Sequence, residues 1–356
     1  MNATVEEIEG YDKEDSNWDY PIDTVLIRNE TRTVFDVLRR IEKGSYVMNP
    51  DFQRDFIWSE EKQSKLIESV LMLIPLPVFY LAENKMEQMV VVDGLQRLST
   101  FQRFVANKFK LKLPNQIDLN KKTFNDLTPK LQNRIEDCNL ILYVIDSKVP
   151  NKALLDIFER VNSGVPLTRQ QMRNCLYMGA ATRFLKDESN SELFLDATGR
   201  SLDPKTMKDR EIVNRFCAFY IFGVGEYRGG MDDFLVRSLE KMNTFKQDEF
   251  EKISADLRTS LRNNVIAFQE HAFRKNVLEQ KNRSPFNVSL WDVMSIGLLR
   301  YSEHEIEKQK SKLRDGFHNL MKDPEFMDSI TLGTNNVKRV RTRFEKFESM
   351  LKEVFG

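Results

Sequence analysis

The sequence predicts an α/β (α+β) protein: a strand-and-helix core over roughly residues 21–180, then an almost wholly helical region over 181–356. Three observations carry this. Up to Gly179, short apolar runs such as "MVVVD" and "NLILYVID" alternate with stretches of helical period. Beyond Gly179 the apolar runs stop while the helical period persists, interrupted by the Gly-rich "GVGEYRGG" at 223–230. Residues 1–20 are rich in Asp and Glu and poor in branched apolar residues, which predicts a loosely held acidic leader.

The elements follow in order. "TVFDVLRRIEKG" predicts a helix at about 33–43, with Thr33 as cap, Asp36 three residues on and Gly44 as stop. Val34, Leu38 and Ile41 share one face. "SEEKQSKLIESVLMLIPLP" predicts a second helix capped by Ser59, with Glu60 and Glu61 at the positive end of its dipole. Its buried stripe is Leu66, Ile67, Val70, Leu71 and Ile74, and Pro75 and Pro77 end it. "VFYLA" and "QMVVVDG", joined by a short turn at Asn84 and Lys85, predict a hairpin-like strand pair. Met89 to Val92 are apolar on both alternating faces, which suits a central strand. A helix from "LSTFQRFVANKF", one opened by Thr128-Pro129, a buried strand at 139–146, a helix from "NKALLDIFERVNSG" closed by Gly164, and another from "TRQQMRNCLYMG" complete the core.

Composition limits function. Charged residues are 30% and apolar residues 41%, as in ordinary globular chains. Lys+Arg and Asp+Glu are both 54, so a general nucleic-acid coat, which needs a basic excess, is excluded, while a local basic patch is not. Cys138, Cys175 and Cys217 lie far apart with no C-x-x-C spacing and read as free thiols. No apolar run is long enough to cross a bilayer and no signal-like N-terminus is present, so a cytoplasmic protein without membrane partners is expected.

Four segments can carry chemistry. In "VVVDGLQRLST", Gly94 lets backbone approach a ligand closely. A helix beginning there offers N–H groups and a positive dipole end to an anion. Arg97 can add a bidentate contact to phosphate. Asp93 and Gln96 equally fit a D-x-x-Q capping box with Arg97 solvated, and on these residues alone capping is the simpler reading. The two readings are compatible. In "NPDFQRDFIW", Gln53 and Arg54 lie among Phe52, Phe56 and Trp58, either as a second phosphate clamp or as an arginine stacked on an aromatic edge. In "FERVNSG", Arg160 points away from the Leu154, Phe158 and Val161 stripe, and Asn162 and Gly164 mark the helix end. In "TRQQMRN", Thr168 and Gln171 fit a capping box, which leaves Arg173 and Asn174 to be explained.

Taken in order, these segments resemble the N-terminal domain of GmrSD-type, modification-dependent restriction enzymes and related phage-defence proteins. Asp93-Gly94-Leu95-Gln96-Arg97 matches the DGQQR motif except at Leu95. Gln53, Arg54 and Trp58 match an upstream "QR…W". The "IPLPVFYL" stretch is similar too, as is F-x-R-x-N-x-G at Phe158, Arg160, Asn162 and Gly164. Leu167 to Asn174 resembles "LS-x-QEIRN" with Gln171 in place of the acid, and "DREIVNRFCAFY…YRGGMDDFL" resembles the family's helical extension.

The resemblance implies a ParB/sulfiredoxin-like fold with a mixed sheet and a nucleotide-binding, nucleotide-hydrolysing turn. It implies Asp93, Gln96 and Arg97 as catalytic residues. It places a nucleoside triphosphate on Gln53, Arg54, Gly94, Arg97, Ser99, Thr100, Arg160, Asn162 and Arg173, with Mg²⁺ at Asp93. Sulfiredoxin chemistry needs a cysteine in the turn, and none is there. His271, His304 and His318 give no clustered set for the HNH nuclease domain that many members carry, so a nuclease is expected on a separate subunit. Leu95 and Gln171 depart from the pattern at polar positions, which predicts binding with slow turnover.

Two function classes result. One is a nucleotide switch in a DNA restriction or phage-defence system. The other is a DNA-binding or DNA-cleaving module that acts without nucleotide, using Lys338, Arg339, Arg341 and Arg343. Against the second, Val337, Val340, Phe344, Phe347 and Leu351 make the same stretch an ordinary amphipathic helix.

Overall fold

A computed structural model describes residues 8–9, 26–48, 58–84, 86–161, 168–276 and 283–356. The chain divides into two compact units, Asp19–Leu167 and Thr168–Gly356, the latter together with Met1–Trp18. The fold is α+β: a mixed five-stranded sheet in the first unit and helices in the second.

The first unit begins with a strand that hydrophobic patterning did not reveal, β1 (Ile27–Thr33). Its Arg28, Glu30 and Arg32 alternate along one side and pair with one another. Ionic contacts take the place of apolar alternation on this edge strand. Helix α1 (Val34–Glu42) starts where expected, with the Thr33 hydroxyl accepting the Asp36 N–H, and Gly44 at φ 73 follows its end. After β2 (Tyr46–Val47), helix α2 (Glu60–Leu71) opens at Ser59 as expected. It closes before the prolines do any work. Leu73 is left-handed, Leu73 N–H reaches the Val70 carbonyl and Ile74 N–H reaches the Ser69 carbonyl, a Schellman turn. That rotation takes Ile74 out of the buried stripe and leaves it exposed, a correction to the expected core.

Strands β3 (Phe79–Glu83) and β4 (Met89–Asp93) form the expected antiparallel hairpin. Helices α3 (Leu95–Val105) and α4 (Pro129–Glu136) precede β5 (Asn139–Ile145). The sheet order is β1-β5-β3-β4-β2, antiparallel at β1/β5 and β3/β4, parallel at β5/β3 and β4/β2. One face is covered by α1 to α4, whose Val37, Ile67, Phe101 and Ile135 close over Leu81, Val91 and Leu142. Val90 and Val92 turn to the other face, and α5 (Asn151–Val161) packs beside β4. Asn139 and Ile141 of β5 are exposed, so that strand is less covered than expected.

The second unit runs α6 (Arg169–Leu176), α7 (Ala180–Ser189), α8 (Glu192–Ala197), α9 (Lys208–Phe222), α10 (Met231–Met242), α11 (Gln247–Phe268), α12 (Val288–Gly297), α13 (Glu303–Leu320), α14 (Pro324–Thr331) and α15 (Val337–Phe355). Its core surrounds Trp291, against which Phe194, Phe273 and Phe286 pack. The 223–230 break separates α9 from α10 as expected. Within the leader, Glu9 bridges Asn287 and pairs with Lys275, so the loosely held reading does not extend to Glu9. Cys138, Cys175 and Cys217 are free thiols, and burial pushes Cys217 up. No helix among the described residues is long and apolar enough to cross a membrane.

Candidate functional site

Asp93 is the last residue of β4, an interior strand, and Gly94 is the N-cap of α3. The N-cap position is therefore one residue later than the expected D-x-x-Q box requires, and neither Asp93 nor any other side chain caps the helix. Gly94 has φ 101 and ψ 5, a left-handed conformation that side chains resist. A Cβ at this position would lie 2.3 Å from Phe79 Cδ1. Both backbone angle and space therefore demand glycine. The Gly94 carbonyl accepts Leu98 N–H at 2.9 Å, so the helix starts directly from the turn. No side chain caps it, which leaves the first-turn N–H groups to the positive end of the dipole.

Arg97 does not reach outward as expected. It is 8% exposed and lies over the Phe79 ring, with Cζ 4.2 Å from the centroid. Its guanidinium donates to Asp93 Oδ2 at 3.0 Å, to the Val78 carbonyl at 3.0 Å and to the Pro77 carbonyl. Burial lowers its pKa and Asp93 opposes that shift. The inward pose rests on carbonyls that are distant in sequence and brought alongside by the fold. Pro75 and Pro77 have no N–H, and the guanidinium takes up the Pro77 and Val78 carbonyls ahead of β3. Arg97 thus positions Asp93, whose side chain stays 34% exposed.

The other predicted residues separate. Thr100 is buried and donates to the Gln96 carbonyl at 2.7 Å. Ser99 is buried on α3, Gln96 is half-buried, and Arg160 is exposed on α5. Leu95 rests against the core of the sheet unit, so its apolar side chain has a packing role there. Gln53, Arg54, Asn162 and Gly164 lie outside the described residues.

Arg173 belongs to the other unit. It is 1% exposed and bonded to Gln170, Glu211 and Asp232, so it is a structural ion pair and not a phosphate arm. Gln171 completes the expected capping box with Thr168 and also donates to the Lys205 carbonyl, so its amide is committed to structure.

The basic cluster on α15 also divides. Arg343 is fully buried, bonded to Asp292 and to the Thr334 carbonyl, which corrects its assignment to DNA. Its spacing from Val340 and Phe347 puts it on the buried face, a signal visible in the sequence. Arg339 pairs with Asp328, while Lys338 and Arg341 are exposed.

Sequence reasoning missed Tyr80 and Tyr143. Sheet register aligns Asp93, Tyr80 and Tyr143 in one row across β4, β3 and β5. Both tyrosines are half-buried, with ring centroids 5.5 Å apart. The row is legible only once the strand order is known.

The donor set can be weighed for a cation. Among the described residues no three His, Cys, Asp or Glu side chains group to hold a metal ion. One hard carboxylate suits Mg²⁺ that arrives with phosphates and keeps its waters, and does not make a protein cage.

Residues 34–178 match the family model described as the GmrSD restriction endonuclease, N-terminal domain. An uncharacterized protein of Methanocaldococcus jannaschii is 25% identical over 142 residues, which are 32% of this chain and 24% of that protein. The chain thus aligns with about a quarter of that relative's length. No solved structure matches the chain.

Proposed function

We propose that the chain, whose residues 34–178 match the GmrSD restriction endonuclease N-terminal domain model, is the nucleotide-binding component of a DNA restriction or phage-defence system. The observation that carries the reading is the Asp93-Gly94 turn. A helix start without a side-chain cap lies next to a carboxylate that remains partly exposed. The N–H groups and dipole of α3 receive a phosphate. Asp93 is the residue that would hold Mg²⁺ brought in by that phosphate, and the ion would supply charge neutralisation when bound. Arg97 fixes the carboxylate through the 3.0 Å contact. Tyr80 and Tyr143 offer aromatic surface on the same row. With one carboxylate and Leu95 packed inward, the turn holds a nucleotide better than it positions an attacking water, so turnover is slow.

A thermal-shift screen of the four ribonucleoside triphosphates, with and without Mg²⁺, tests this. At least one triphosphate should raise the melting temperature in wild type. The Mg²⁺-dependent part should disappear in Asp93→Asn. A melting curve indifferent to all four nucleotides would sink the proposal and favour a module that acts on DNA alone.

A further inference from the structure

Residues 103–134 hold eight Lys and Arg (103, 108, 110, 112, 121, 122, 130 and 134) against two Asp (118 and 126), in a chain whose opposite charges balance overall. The structure gives this excess a shape. After α3, the segment 108–113 alternates strictly: Lys108, Lys110 and Lys112 are exposed, and Phe109, Leu111 and Leu113 are buried. A second arm is bonded to it, Leu111 N–H to the Lys122 carbonyl at 2.9 Å and Lys121 N–H to the Leu111 carbonyl at 2.7 Å. Asn107 and Asn120 side chains fasten both arms by accepting the Asn125 and Leu113 N–H groups. The lysines therefore project from a fixed two-armed ribbon.

Part of this charge is not answered by carboxylates. Lys112 pairs with Glu60 and Glu61. Lys110 and Lys122 share the field of one carboxylate, Asp126. Among the described residues, Lys108, Lys121 and Lys130 have no carboxylate partner. We propose that this lysine ribbon is a docking surface for the phosphate backbone of duplex nucleic acid. It lies apart from the Asp93-Gly94 turn, since α3 separates them by about 16 Å at 1.5 Å per residue.

The chemistry selects the partner. Lys108 to Lys112 span about 13 Å of extended chain, the length of about four base-pair steps along the axis of B-form DNA. Phe104, Phe109 and Phe124 are buried beneath the ribbon, so no aromatic there can stack on an unpaired base. Contact is with backbone and independent of sequence. An anionic membrane fits less well. Ile117 is the exposed large apolar side chain at the tip, and Asp118 follows it.

The test uses the full chain and a fluorescent duplex of about 30 base pairs, titrated between roughly 50 and 200 mM salt. Wild type should bind with a log–log salt slope of roughly −3 to −4, at about 0.9 per phosphate neutralised. Lys108→Gln/Lys110→Gln/Lys121→Gln/Lys122→Gln should lose tenfold or more in affinity at low salt and flatten the slope by about three, with the melting temperature unchanged. If that variant melts early, the single substitutions Lys108→Gln and Lys121→Gln should each flatten the slope by about one. Lys338→Gln/Arg341→Gln should bind as wild type does. The proposal is overturned if wild type ignores duplex DNA, if the lysine variants bind it unchanged, or if phosphatidylserine vesicles are bound in preference to DNA. The nucleotide-induced melting shift of the lysine variant should equal that of wild type, so failure of either reading leaves the other standing.

Discussion

Two arginine–carboxylate arrangements, one in each unit, use the same chemistry to different ends. In the helical unit Asp292 is fully buried, gripped by Arg215 at 2.8 and 2.5 Å and by Arg343 at 2.7 Å. In the sheet unit Arg97 is nearly as buried, but its partner Asp93 is a third exposed. The first arrangement is closed on itself and ties α9, α12 and α15 together. The second buries the cation and leaves the anion open. What separates a closed brace from a candidate site is which partner keeps access to solvent, not the presence of the pair.

The largest effect should come from Asp292→Ala. It leaves two guanidiniums buried without a counter-charge, a loss on the order of 3–5 kcal/mol. Asp93→Ala removes a half-open partner and should cost no more than about 1 kcal/mol. Urea titration of both variants measures the gap, and equal losses would erase the distinction drawn here. Gly94→Ala comes next, at about 1–3 kcal/mol from the left-handed backbone, with the Phe79 contact added. A double-mutant cycle with Phe79→Leu should show coupling of about 0.5 kcal/mol or more, because the smaller side chain relieves the clash.

Arg97→Met sharpens the comparison at similar or smaller size. If Arg97 is a brace, stability falls by about 1–3 kcal/mol as the Pro77 and Val78 carbonyls lose their donor. If it is a phosphate arm, nucleotide affinity falls while unfolding is unmoved.

The smallest effect concerns Asp36, an exposed-side counterpart held by Arg32, Arg39 and Arg40. Burial acts to raise its pKa, and hydrogen bonds from Arg40, Arg39 and Arg32 overcome this and hold it at about 2. A depressed carboxyl stabilises the fold above its unfolded pKa near 4 and loses that contribution as pH falls toward 2. Asp36→Asn should therefore be less stable than wild type at pH 7, by under about 1 kcal/mol after solvent screening. The difference should vanish near pH 2. A constant difference across that window would contradict the assignment.

Much of the fold was legible because local signals agreed. Thr33, Ser59 and Thr168 begin their helices as read, and the β3–β4 hairpin follows from two apolar runs and a short turn. β1 was not legible, because Arg28, Glu30 and Arg32 replace apolar alternation with an ionic ladder. The site was half legible. Gly94 at a strand-to-helix junction was readable, but the pose of Arg97 depends on the Pro77 and Val78 carbonyls, nearly twenty residues away. Arg343 was misassigned because its charge was counted before its face. Asp93, Tyr80 and Tyr143 come together only through strand order, which no local pattern encodes.

The guanidinium of Arg97 joins three segments that are distant in sequence: the proline-bearing approach to β3, the end of β4 and the first turn of α3. With Gly94 confined against Phe79, that turn has little conformational freedom left to lose. An anion docking there, as proposed, would meet N–H groups already aligned, and the entropy of arranging them would have been surrendered during folding instead of at the moment of binding.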